Sequence, residues 1–414
     1  MEKSYFLHKS KTFCMMPWVH LYINTDGLVK ACCSSRITYG DVGRETIQKI
    51  WHGKAINEFR QKLCQDQPDT RCQTCYDLDK SGNISMRKTV NTNYAHHFGL
   101  VQKTKANGTA PGTSPVYLDI RFSNICNFRC RTCWHGSSSN WFEEAKILRR
   151  TAANTAFIKA TTDSDRLFEQ IESFLPGVEE IYFAGGEPLL MEEHLRLLQL
   201  LDKKKLYKVK LRYNSNLSRL KYQGQHFFHW WKKFQDITIG ASLDAINERG
   251  EYIRKGQSWH ETIENIRQIK AECPHIGIKI TPTVSIYNVL HLPDYHQSWV
   301  ESNLIAINDV ELNVLHRPNY LNIKILPAKY KEKVKLRYQI HTNWIQDRNQ
   351  HPHLSDAERQ RMSAMYNNAI TYLYSDNWTH LISKFLEENR RLDLLRNESL
   401  DQIFPELAEM VNLK

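Results

Sequence analysis

The chain has 414 residues, 41% of them hydrophobic and 24% charged, a composition that suits a folded protein of two or three domains. It contains no run of 18 apolar residues and no long apolar segment near its start, so the sequence predicts neither a membrane helix nor a signal peptide. We therefore expect a cytoplasmic protein. The formal net charge of +11 permits an anionic partner, although the Lys and Arg residues are spread along the chain.

Residues 1–100 are rich in cysteine and in turn-forming residues, and they predict a small N-terminal domain. Asp26 and Gly27 stand between the segments LYIN and LVKAC, a pattern that favours a β-hairpin. Clustered cysteines in a reducing compartment indicate metal ligation rather than disulfides. Four thiolates could hold zinc or a fully ligated [4Fe–4S] cluster. The candidate ligands are Cys14, Cys32, Cys72 and Cys75, with Cys33 and Cys64 left as alternatives.

Residues 101–115 are polar and contain Gly and Pro, so they predict a linker. Beyond them strands alternate with helices, which predicts parallel pairing through crossovers. The fold class expected for residues 116–325 is therefore α/β, a partial (β/α)6 TIM-like barrel that is open on one side. Residues 326–414 predict a helical C-terminal extension. The six predicted strands cover residues 116–122, 180–184, 208–213, 236–243, 276–285 and 310–315.

The first barrel strand leads into SNICNFRCRTCW, in which Cys126, Cys130 and Cys133 have the spacing C-x3-C-x2-C. Three thiolates are one short of the four that a [4Fe–4S] cluster takes, so one iron stays open for a ligand. S-adenosylmethionine (SAM) can fill that position through its amino and carboxylate groups. The motif resembles the signature of the radical SAM superfamily. The alternative is a zinc knuckle that takes a fourth ligand from elsewhere, such as His135.

The resemblance extends to later strand ends, where sites in such barrels lie. The second strand ends in Gly185-Gly186-Glu187-Pro188, which is similar to the family motif that holds the methionine amino group of SAM. Thr132 stands where the family often has a bulky residue, so Phe128 or Trp134 is expected to pack near the adenine. The further SAM contacts that the resemblance implies are Asn216, Ser242, Asp244, Arg254 and Asn288.

The N-terminal cysteines resemble the auxiliary-cluster domains called SPASM and twitch. The shared features are a Cys followed by Pro17-Trp18, the Asp26-Gly27 hairpin, Trp51-His52-Gly53, and a closing C-x2-C pair. The resemblance implies one auxiliary [4Fe–4S] cluster.

Together these resemblances imply a radical SAM oxidoreductase or modifying enzyme that cleaves SAM to a 5′-deoxyadenosyl radical. We expect it to take hydrogen from a peptide or a small polar molecule, with the auxiliary cluster assisting oxidation or crosslinking. An external donor such as flavodoxin or ferredoxin would supply the electron, and no membrane would be involved. One alternative is radical modification of RNA. The other is a non-catalytic nucleic-acid-binding module that carries zinc or clusters.

Overall fold

The computed structural model describes residues 2–80 and 84–412. The other residues belong to the predicted N-terminal domain and C-terminal extension and lie outside the described residues. The strands are β1 His20–Ile23, β2 Leu28–Lys30, β3 Thr38–Asp41, β4 Tyr117–Ile120, β5 Glu180–Phe183, β6 Lys210–Ser215, β7 Lys221–Tyr222, β8 Gln225–His226, β9 Ile237–Ala241, β10 Gly277–Ile280, β11 Thr283–Val284 and β12 Asn313–Val314.

The α-helices are α1 Met16–Val19, α2 Ile47–Trp51, α3 Lys54–Cys64, α4 Gln73–Lys80, α5 Met86–Asn93, α6 Phe98–Gln102, α7 Phe142–Ile147, α8 Ser164–Phe174, α9 Glu192–Lys203, α10 Phe228–Trp231, α11 Asn247–Ile253, α12 Trp259–Glu272, α13 Leu292–Glu301, α14 Ala328–Gln346, α15 Asp356–Tyr374, α16 Ile382–Arg396, α17 Leu400–Ile403 and α18 Pro405–Asn412. In the described part of the chain, none of these helices has the length and apolar character needed to cross a membrane.

The chain divides into two compact units. Unit 1 comprises Met1–Cys126, Phe157–Asn214 and Lys221–Ile237, and unit 2 comprises Asn127–Ala156, Ser215–Leu220 and Thr238–Lys414.

Six strands of unit 1 form one sheet in the order β3-β2-β1-β4-β5-β6. The register pairs Leu118 with Ile181 and Ile181 with Leu211, and all three side chains are buried. Because side chains alternate between the faces of a strand, the neighbouring residues Asp119 and Tyr182 lie together on the other face. One face is therefore apolar and the other polar.

The hairpin predicted around Asp26 and Gly27 is present, since β1 and β2 pair antiparallel. Its first strand also pairs parallel with β4, matching His20 to Tyr117 and Ile23 to Ile120. The cysteine-rich segment thus extends the sheet of the barrel strands, an arrangement that the sequence did not predict. The segment predicted as a linker is packed as well, because Trp51 Nε1 donates to the Thr113 carbonyl at 3.2 Å.

In unit 2, β9 pairs parallel with β10, and β11 pairs parallel with β12. The fifth predicted strand is interrupted between β10 and β11, where Pro282 has no N–H to donate. The long helices α14 and α15 pack against each other, and α15 begins with a capping box formed by Ser355 and Glu358. The predicted α/β class, with parallel strands, a helical C-terminal part and no closed barrel among the described residues, is confirmed.

Candidate functional site

The loop after β4 carries the three cysteines of the C-x3-C-x2-C motif. Cys126 lies at the end of a stretch of unit 1, and Cys130 and Cys133 lie in unit 2. The Cys133 N–H donates to the Cys130 carbonyl at 3.0 Å, which forms a tight turn. Burial, with a contribution from the neighbouring Cys130, raises the pKa of Cys133 to about 12, and burial also raises the pKa of Cys130. Neutral thiols are favoured unless a cation is bound, so this environment suits a metal centre.

Backbone and indole contacts fix this loop in unit 2. The Arg131 N–H donates to the Ile253 carbonyl at 2.7 Å, and the Arg129 N–H donates to the Lys255 carbonyl at 2.9 Å. Trp141 Nε1 donates to the Cys130 carbonyl at 2.9 Å. The loop that presents Cys130 is therefore held along its length.

Helix α16 and the residues just after it also hold the loop, which the sequence did not predict. The Arg131 side chain is fully buried and pairs with Asp393 at 2.5 Å and with Glu398 at 2.6 Å. Its guanidinium lies 3.6 Å from the centre of the Tyr252 ring. Arg396 donates to the Arg129 carbonyl at 2.7 Å. Asp393, Arg396 and Glu398 lie more than 250 residues from the loop residues that they contact, so no local pattern connects them.

Arg254 and Asp244, both predicted to contact SAM, form an ion pair beside Cys130. Arg254 Nη2 donates to Asp244 Oδ1 at 2.9 Å, and Nη1 lies 3.9 Å from the Cys130 sulfur. Burial disfavours the cation, but Asp244 and Cys130 hold the pKa of Arg254 above its ordinary value. Asn288 joins the group, because its Nδ2 donates to the Asp244 carbonyl at 3.0 Å. The structure thus brings three predicted residues together next to a predicted cluster ligand.

Two further polar residues lie close to this group in sequence and were missed by the sequence analysis. The Ser285 hydroxyl and both polar atoms of the Gln257 amide are buried, with no hydrogen-bond partner among the described residues. Buried polar groups without partners are costly and rare, so they mark a place where a polar ligand or water fits. The donor set of unit 2 is therefore compatible with a molecule such as SAM.

Asn216 faces the cysteine loop through Asn127. Asn216 Nδ2 donates to Asn127 Oδ1 at 3.0 Å, and Asn127 Nδ2 donates to the Ser218 hydroxyl at 2.9 Å. Ser242, the remaining predicted contact in unit 2, donates its backbone N–H to the Ser215 carbonyl at 2.8 Å. Asn127 was not predicted, although its position between the first two cysteines of the motif could have indicated it.

Asp244 and Asn288 also line a cavity of about 270 Å³ in unit 2. Its walls include Tyr287, Tyr295 and Phe404. A cavity with aromatic walls and a few polar groups is typical of a small-molecule site.

The Gly-Gly pair of unit 1 lies against the chain that leads into Cys126. The Glu187 N–H donates to the Ile125 carbonyl at 2.7 Å, and the Gly186 N–H donates to the Ser123 carbonyl at 3.2 Å. A Cβ on Gly186 would lie 2.1 Å from the Ile125 oxygen, and Gly185 has a φ of +124°. Only glycine permits this approach. Glu187 is buried and caps the short turn that contains Pro188.

The four predicted auxiliary ligands surround one cavity of about 30 Å³ in unit 1. The cavity is lined by Cys14, Cys32, Cys72 and Cys75, and neither Cys33 nor Cys64 is among its lining residues. Burial raises the pKa of Cys72 to about 11 and also raises the pKa values of the other three thiols. Buried sulfur atoms that converge on a small space form a donor set that fits an iron–sulfur cluster.

The zinc-knuckle alternative gains no support from His135. Its Nε2 lies 3.3 Å from the Ala156 carbonyl, and its Nδ1 lies 3.3 Å from the Thr151 hydroxyl. Both ring nitrogens therefore have other partners. Of the two residues proposed to pack near adenine, Phe128 is buried and Trp134 is 66% exposed.

Comparison with protein families matches residues 120–290 to the radical SAM superfamily and residues 14–76 to SPASM, an iron–sulfur cluster-binding domain. The chain contains a radical SAM domain. Its radical SAM domain implies a [4Fe–4S] cluster and SAM, and its SPASM domain implies auxiliary iron–sulfur clusters. Members of this superfamily are enzymes. The residues that would ligate each cluster stay a prediction.

Curated relatives are similar over less than half of this radical SAM chain. A SAM-dependent nucleotide dehydratase of Danio rerio is 25% identical over 194 residues, which are 45% of this chain and 47% of the relative. A GTP 3′,8-cyclase of Haemophilus ducreyi is 22% identical over 206 residues, which are 48% of this chain and 53% of the relative. The chain thus spans about half the length of these relatives.

Two solved structures are similar to this chain at low identity. The enzyme anSMEcpe with bound AdoMet and a Cp18Cys peptide is 18% identical, with a TM-score of 0.40 over 56% of this chain and 61% of that one. SuiB of Streptococcus suis bound to the precursor peptide SuiA is 14% identical, with a TM-score of 0.37 over 80% of this chain and 70% of that one.

Proposed function

We propose that the protein reductively cleaves SAM and uses the resulting radical to take a hydrogen atom from a peptide or a small polar molecule. The observation that carries this proposal is the division of the cysteines into two sets. Cys126, Cys130 and Cys133 number three and leave one iron open, whereas the cysteines around the cavity of unit 1 number four and complete a cluster. One set therefore suits SAM binding, and the other suits electron transfer.

When bound, the first cluster supplies the electron that splits SAM into methionine and a 5′-deoxyadenosyl radical. The residues of this chain bind and orient SAM. The backbone carbonyls of the turn at Gly185 and Gly186 would accept hydrogen bonds from the methionine ammonium of SAM, and Glu187 would add a negative charge. Arg254 and Asp244 set the charge beside Cys130. Short polar groups for the carboxylate and ribose of SAM would come from Asn216, Ser242 and Asn288.

The polar face of the unit 1 sheet supports a polar substrate. Arg121 Nε donates to Asp119 Oδ1 at 3.4 Å, and the Arg121 guanidinium lies 5.0 Å from the centre of the Tyr22 ring. Burial raises the pKa of Asp119 to about 6, against the opposing effect of Arg121. A buried carboxyl with such a shift is a frequent feature of functional sites.

RNA is the second candidate substrate. The curated relatives named above act on nucleotides according to their names. Unit 2 also has an open depression of about 510 Å³ lined by Lys146, Arg149 and Arg150, whose charges suit phosphate groups. A nucleotide counts as a small polar molecule, whereas RNA would require a base to leave its stack.

The test is deuterium transfer into 5′-deoxyadenosine. The reconstituted enzyme is given SAM, a reductant and, in separate reactions, deuterated peptides, deuterated nucleotides or deuterated RNA. We expect deuterated 5′-deoxyadenosine with peptides or nucleotides and none with a Cys130→Ala control. Transfer from RNA alone would contradict the proposed substrate class.

A further inference from the structure

Two adjacent histidines and a glutamate meet on unit 1, away from the cysteines. His96 and His97 end the short turn Ala95–His97, and Glu179 directly precedes β5. His96 Nε2 lies 3.0 Å from Glu179 Oε2, and His97 Nε2 lies 2.7 Å from Glu179 Oε1. The two imidazole rings are 4.2 Å apart between centroids. Both rings thus direct their Nε2 atoms toward one carboxylate.

The backbone on both sides of the group is fixed. The Glu179 N–H donates to the Val116 carbonyl at 2.8 Å, and the Glu179 carbonyl accepts from the backbone N–H of Lys210 at 2.9 Å. On the histidine side, the Tyr94 ring stacks on Tyr117 at 5.7 Å, with only 10° between the ring planes. Both sides of the group are therefore anchored to the sheet before any ligand binds, which lowers the ordering cost of binding.

The donor atoms of these three side chains suit a cation of borderline softness. One nitrogen from each imidazole and one carboxylate oxygen all lie within 4.8 Å of one another. Two histidines and a glutamate form a known zinc ligand set, with the fourth position left to water.

We propose that His96, His97 and Glu179 bind a divalent transition-metal ion, for which zinc is the best fit. The site is separate from SAM binding, because Glu179 precedes β5 and Gly185 follows it, roughly 20 Å away along an extended strand. An ion there would join the turn that carries the histidines to the start of β5. Zinc has no redox chemistry, so this site would take no part in electron transfer.

The experiment measures zinc in the holoenzyme. The full chain, with its clusters reconstituted, is dialysed against zinc sulfate and then against metal-free buffer, and zinc and iron are counted by mass spectrometry. The variants are the double substitution His96→Ala/His97→Ala and Glu179→Gln, which keeps the shape of the side chain without its charge. His260→Ala is the control, because His260 is an exposed histidine on α12.

We expect the wild type and His260→Ala to retain about one zinc more per chain than either site variant, at equal iron content. X-ray absorption at the zinc edge should show nitrogen and oxygen ligands at about 2.0–2.1 Å and no sulfur at about 2.3 Å. Equal zinc in all four proteins, no retained zinc in the wild type, or sulfur ligation would each overturn the proposal. The absorption measurement needs only the wild type, so it decides the question even if a variant folds poorly.

Discussion

The helix α16 should stabilise unit 2 through the pair between Arg131 and Asp393. We consider Asp393→Asn, which keeps the size of the side chain and removes its charge. Arg131 is fully buried, and losing one partner of a buried ion pair costs about 3–5 kcal/mol. Glu398 remains as a second partner at 2.6 Å, so we expect a smaller loss of about 2 kcal/mol in the free energy of unfolding.

The matched control is Asp356→Asn, also in unit 2. Asp356 pairs with Arg348 at 2.8 Å, but the two side chains are 66% and 74% exposed. Exposed pairs contribute little, so we expect a loss below about 1 kcal/mol. The free energy of unfolding of both variants is measured by urea unfolding of the reconstituted proteins, with tryptophan fluorescence as the signal. Equal losses for the two variants would show that α16 does not hold the cysteine loop through a buried ion pair.

Three further predictions concern other parts of the chain. Because the pKa of Asp119 in the folded protein, about 6, exceeds the ordinary 3.8, stability should fall as pH rises through this interval. Between pH 5 and pH 7 the wild type should lose about 1 kcal/mol relative to Asp119→Asn in urea unfolding, and parallel pH profiles would contradict this. Gly186→Ala should lower the rate of SAM cleavage at least about tenfold, because its Cβ would collide with the Ile125 carbonyl. Gly177→Ala is the control, because its Cβ would meet no atom within 4 Å. Equal rates of 5′-deoxyadenosine formation in the two variants would contradict this prediction. Iron analysis should fall from about eight to about four per chain when the unit 1 cavity cysteines are replaced, and it should stay at about eight in Cys64→Ala. An unchanged iron content would reject the ligand set Cys14, Cys32, Cys72 and Cys75.

Local patterns predicted the secondary structure of the barrel segment well. The second strand, predicted as 180–184, is observed as Glu180–Phe183, and the fourth, predicted as 236–243, is observed as Ile237–Ala241. Alternating burial and capping residues act within a few positions of one another, so a sequence displays them. Ser258, for example, caps α12 by accepting from the Glu261 N–H.

Long-range pairing was not predictable from the same patterns. The parallel contact between β1 and β4 joins segments almost a hundred residues apart, and backbone hydrogen bonds carry no side-chain signature. The clamp on Arg131 also depends on charges that look like ordinary surface residues of an amphipathic helix. The hairpin and the C-x2-C pair are local features that a sequence displays, and Cys14, Cys32, Cys72 and Cys75 do line one cavity of unit 1. That these four cysteines ligate a cluster stays a prediction.

The proposed function depends on cleavage of SAM by the reduced protein. The reconstituted wild type, under anaerobic conditions with a strong reductant, should convert SAM to 5′-deoxyadenosine and methionine. The triple variant Cys126→Ala/Cys130→Ala/Cys133→Ala should form neither product, and Cys273→Ala, which removes a buried thiol outside both cysteine sets, should behave as the wild type does. Cleavage by the triple variant at the wild-type rate would contradict the assignment of these cysteines to the radical SAM cluster.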